Sequence, residues 1–196
     1  FLALRGLRTM AVRLERGLRR AVGASQRRLR DGSLFVPAGL LDGGGPFGHL
    51  TDSRAGTYWN LVMPYALASG VFAPHGAQAK GLLRYLLRHG SRLLGLVRSG
   101  AYRLAAADAT VTGTDQVYGI NVARFLADND QPDELVLSLY GHLAAGMTDT
   151  FVSGEAASVA PLAGETSRAM YLPPNSASNA AFLETLRLML VHETRG

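Results

Sequence analysis

The chain has no cysteine, one lysine and one tryptophan among its 196 residues. Without cysteine there are no disulfides, no thiolate nucleophile and no Cys-ligated zinc. No run of 18 or more apolar residues occurs, so no membrane span is expected. The near absence of lysine leaves the basic character to arginine. Lys80 alone breaks the arginine set, a compositional bias rather than a choice made for phosphate contacts. A nucleic-acid partner is therefore not expected.

The charge is unevenly spread. Residues 1–30 carry nine Arg and one acid, Glu15, whereas the remainder is slightly acidic. Leu4, Leu7, Ala11, Leu14, Leu18 and Ala21 recur at spacings of three and four, which predicts one amphipathic helix over about residues 3–27. The chain starts at Phe1 inside this pattern and is expected to be part of a longer protein. Its compartment is left open.

Three segments share a layout. Gly56-Thr57-Tyr58-Trp59-Asn60, Gly113-Thr114-Asp115-Gln116 and Asn175-Ser176-Ala177-Ser178-Asn179 each follow a long Gly-rich or Pro-rich stretch and open an apolar run. Thr57 and Thr114 are placed as N-caps, since a hydroxyl there accepts from an orphan amide. Helices are predicted from Thr57 to about Ser69, with Pro64 inside and Gly70 ending it. Others are predicted over Gln78–His89, from Thr114 to about Ala127, from Pro132, and from Ser176. Strands are allowed only at Ser33–Val36 and Leu93–Val97. The connections at 31–56, 90–113 and 148–175 are read as long loops gathered at one end, where function concentrates.

This alternation of hairpins about 60 residues apart resembles the six-hairpin glycosidases, whose fold is an (α/α) toroid. The segments Gly56–Tyr65, Gly113–Gly119 and Tyr171–Ala177 look like inner-helix starts of that family. The resemblance implies an all-α single partial domain over residues 1–196, about three of six hairpins, with the N-terminal half of the toroid missing. It also implies a carbohydrate substrate bound at the inner-helix N-termini, and no cofactor.

Glycoside hydrolysis uses two carboxyl groups that flank the scissile bond. Asp115, at a helix start, and Glu155, among small and apolar residues, are the candidates for that pair. Tyr58, Trp59 and Asn60 would line sugar subsites, joined by Tyr118, Asp52, Arg54 and Glu165. A polysaccharide lyase using Tyr58, Asn60, His49 and Arg54 is the alternative, as is a non-catalytic scaffold that binds sugar or protein. The five histidines have no metal-ligand spacing, and Gly43-Gly44-Gly45 lacks the Lys and Ser/Thr of a phosphate loop.

Overall fold

The computed structural model describes residues 2–39, 44–100, 112–162 and 164–191. It corrects the all-α toroid expectation, because the described residues form a mixed α+β fold with two antiparallel sheets. Helix α1 (Leu2–Ser25) leads into the hairpin β1 (Arg27–Arg28) and β2 (Leu34–Phe35). Helices α2 (Arg54–Ala68) and α3 (Ala77–Arg88) follow. Next come β3 (Arg92–Leu93), β4 (Leu96–Gly100) and β5 (Thr112–Asp115). Then α4 (Gly119–Asp128) precedes α5 (Pro132–Gly141), which runs on as a wider π turn over His142–Gly146. The chain closes with β6 (Ala156–Pro161), β7 (Arg168–Tyr171) and α6 (Ser176–Leu190).

The described parts of the second and third long connections are not simply loops. They pair with each other as a five-stranded meander, β3-β4-β5-β6-β7. Thr114 is opposite Arg98 on one side and Ala157 on the other. Both faces of this sheet are covered. Val97 belongs to the main core, to which α2 contributes, while the Leu96 side chain lies beside Gly141 of α5. Thr114, Asp115, Ala156, Ala157 and Ser158 are all fully buried. A strand buried on both faces needs no polar–apolar alternation, so small residues filled it without the signature of a half-exposed strand.

The helix starts shift accordingly. Ser53, not Thr57, caps α2, its hydroxyl accepting from the Gly56 amide at 3.0 Å. Thr57 Oγ1 instead donates back to the Ser53 carbonyl. Thr114 lies in a strand, and α4 begins five residues later. The third start is as the sequence predicts, with the Asn175 side chain accepting from the Ser178 amide at 3.0 Å. Gly70 ends α2 with φ +75°, a conformation that suits glycine.

The main core is aromatic. Phe35 stacks on Trp59 at 5.6 Å and also meets Phe47 and Tyr85. The Tyr85 hydroxyl donates to the Phe47 carbonyl and accepts from its amide, so its polar end is satisfied while its ring is buried. α4 packs against α2 on one side and α6 on the other. The helices that the spacing singled out therefore lie side by side, with α4 central.

Candidate functional site

Asp115 ends β5 and has no solvent exposure. Its Oδ1 accepts from the Tyr118 amide at 3.4 Å, bridging the turn into α4. Tyr118 in turn meets Tyr65 of α2 edge-on, with ring centres 5.6 Å apart. The Tyr65 phenol is pushed above its ordinary pKa, first by partial desolvation, then by Tyr118 and the Asp115 carboxylate. Asp115 therefore belongs to the α2 side of the sheet. Tyr58 lies two helical turns before Tyr65 on the same face of α2. Both are well exposed, at 62% and 57%.

Glu155 is half-buried beside the start of β6. Its amide donates to the Tyr171 carbonyl at 2.8 Å, and its carbonyl accepts from the Gln116 amide at 3.0 Å. These bonds continue the ladder by one residue beyond Ala156, which is opposite Asp115. The sheet thus brings two candidate residues, 40 apart in sequence, to neighbouring backbone positions, Asp115 at the end of β5 and Glu155 just before β6.

The other candidates scatter. Trp59 is 2% exposed, and its indole donates to the Val36 carbonyl at 2.7 Å, so neither ring face meets solvent. Asn60 is also buried. Its amide nitrogen donates to the Ser91 and Arg98 carbonyls at 2.8 Å each, and its oxygen accepts from the Ser91 hydroxyl. That side chain fastens α2 to the β3–β4 hairpin. Asp52 is exposed and 3.8 Å from His49. His49 Nδ1 is 2.8 Å from the Thr51 hydroxyl. Arg54, in the first turn of α2, and Glu165, between β6 and β7, are exposed.

Two groups escaped the sequence reading. Tyr65 was legible as the aromatic seven residues after Tyr58 and was overlooked. Gln116 is almost fully buried, and its Nε2 donates to the Thr114 hydroxyl at 3.0 Å. Its Oε1 has no hydrogen-bond partner among the described residues.

His142 is buried in the π turn, 3.2 Å from the Ser153 hydroxyl and edge-on to Phe182. Desolvation lowers its pKa to about 4, so it is neutral at pH 7. Ser153 is itself buried, with its hydroxyl also within reach of the Gly146 and Gly154 carbonyls. This pair is enclosed and does not present a nucleophile.

No group of three His, Cys, Asp or Glu suited to a metal occurs among the described residues. No described helix is long and apolar enough to cross a membrane. Comparison of this chain with protein families, with curated proteins and with solved structures finds no match in any of the three.

Proposed function

We propose that the protein is carbohydrate-active and that sugar rests on the tyrosine face of α2 and α4. The observation that carries this reading is the Tyr65–Tyr118 pair, with Tyr58 farther along the same helix. Tyr58 and Tyr65 are exposed and Tyr118 is half-buried; an accessible phenol offers a flat apolar face to a sugar ring and a hydroxyl to its oxygens. Asp115 acts from behind this surface by holding the Tyr118 amide.

In the catalytic form of the proposal, a glycoside hydrolase, Asp115 and Glu155 are the two carboxyl groups. Their neighbouring backbone positions favour it. The closure of Asp115 from solvent favours the second form, a non-catalytic sugar-binding protein. The lyase set gains no support, because Asn60 is committed to Ser91 and Arg98.

The test is calorimetric titration with a panel of neutral and acidic oligosaccharides, with reducing-end release followed in parallel. Tyr65→Ala and Tyr118→Ala are expected to weaken binding about tenfold each, a loss of roughly 1.4 kcal/mol. Unaltered binding in both variants, or no binding to any oligosaccharide, would remove the reading. Release of reducing ends that Glu155→Gln abolishes would establish the hydrolase. Binding without release would establish the scaffold.

A further inference from the structure

Helix α1 carries an apolar stripe that is exposed among the described residues. Leu7, Met10, Leu14 and Leu18 recur on one face and are all exposed, Leu14 at 67%. Arg8 and Arg13 border that stripe on either side. Among the described residues, its C-terminal end joins the body of the protein, where Val22 is buried in the main core. There the Arg19 guanidinium donates to the Gly70 and Val71 carbonyls. At this end the stripe runs into an apolar groove of about 210 Å³, lined by Leu18, Val22, Val36, Met63 and Phe72 among others.

A complementary face lies elsewhere on the same chain. On α5, Asp133, Val136, Leu137 and Tyr140 share one side of the helix and are exposed. The adjacent acid Glu134 is occupied by Arg92, but Asp133 is exposed at the first turn. One face is apolar with basic borders; the other is apolar with an acidic end. Residues 1–30 are strongly basic and the rest of the chain is net acidic. The α1 segment of one molecule is thus attracted to the body of another.

We propose that the protein self-associates by seating the α1 stripe of one copy on the α5 face of a second copy. Leu14 and Leu18 pack against Val136, Leu137 and Tyr140, and Arg13 meets Asp133. An apolar cavity of roughly 150 Å³ accepts a benzene ring, so the groove at the end of the stripe accepts the ring of Tyr140. A two-fold arrangement makes the contact twice and closes as a dimer. A head-to-tail arrangement makes it once per copy and grows into open chains. A flat lipid surface would cover the stripe but leave the concave groove unfilled, so a protein face fits better than a membrane.

Sedimentation velocity over a range of concentrations tests this on the intact chain. The wild type is expected to associate, and Leu14→Asp and Leu137→Asp are each expected to weaken association about tenfold or more. Both side chains are on the surface, so circular dichroism should be unchanged. Arg13→Glu and Asp133→Arg should each weaken association about threefold, and the double variant should recover most of it. A wild type that stays monomeric at its highest soluble concentration overturns the proposal. So does loss of association in Leu14→Asp but not in Leu137→Asp. Binding of a monomeric wild type to phosphatidylserine vesicles, lost in Leu14→Asp, would assign the stripe to a membrane surface instead.

Discussion

Replacing Asn60 by alanine separates its structural role from a role at a sugar subsite. The side chain makes three hydrogen bonds, to the Ser91 carbonyl, the Arg98 carbonyl and the Ser91 hydroxyl. Each is worth about 1 kcal/mol net, and a buried partner left unsatisfied costs about 1–3 kcal/mol. The Ser91 carbonyl keeps the Arg98 amide as a second donor, which moderates its loss. The Ser91 hydroxyl and the Arg98 carbonyl lose the Asn60 amide from a site with almost no water access. The sum is about 3–4 kcal/mol, or roughly 10 °C in Tm for a domain of this size. Urea unfolding should show a lower midpoint with an unchanged slope, because the exposed surface on unfolding is the same. Ser91→Ala should cost less, and the double variant should cost less than the two losses added, because the pair shares a bond. Sugar affinity per folded molecule should not change. A loss below 1 kcal/mol together with abolished sugar binding would refute this reasoning and return Asn60 to a subsite.

Other substitutions probe independent parts of the fold. His142 is held neutral with its pKa near 4, below the usual 6.5, so protons favour the unfolded chain. Its contribution is complete above about pH 6.5 and falls as pH drops toward 4, a loss of about 3 kcal/mol; His142→Gln should flatten that part of a stability–pH profile. A methyl group on Gly141 would strike the Leu94 carbonyl, so Gly141→Ala should cost about 3 kcal/mol in urea unfolding. The same change at Gly17 meets nothing within 4 Å and should stabilise α1 by about 1 kcal/mol. Trp59→Phe should cost about 2 kcal/mol through the lost Val36 bond and packing, and wild-type emission from Trp59 should be blue-shifted until unfolding.

Helical layout was legible because its signals are local. The 3,4 spacing of α1, Pro132 at the first position of α5 and Asn175 before α6 each act within one or two turns. Strand pairing was not legible, because partners lie far apart. Nothing near Thr114 announces Ala157, which is opposite it on β6. The residues before α4 also mimic a cap. A Thr-Asp pair ahead of an apolar run reads as a helix start, and the side chain of Asp115 does bridge to the Tyr118 amide. It does so from the end of a strand, a position that only the ladder with β4 and β6 defines. Adjacent residues on α2 illustrate a similar limit. Tyr58 and Trp59 look alike in sequence, yet one meets solvent and the other Phe35. Which face of α2 turns inward is decided by β2 and α3, whose apolar surface it must cover.

The doubly covered sheet has a consequence for any experiment on Asp115. The carboxylate is buried at the end of β5, where it accepts from the Tyr118 amide, and Tyr118 meets Tyr65. Asp115→Asn preserves an oxygen to accept from the Tyr118 amide but removes the charge that acts on the Tyr65 phenol. If Asp115 is a positioning residue, that variant should change sugar affinity modestly and leave any turnover at saturating substrate intact. If it carries a proton in a hydrolase, turnover should collapse while affinity holds. Glu155→Gln should then produce the same collapse. A split between these two variants would mean that the neighbouring backbone positions bring the two residues close in the chain's architecture but not in its chemistry.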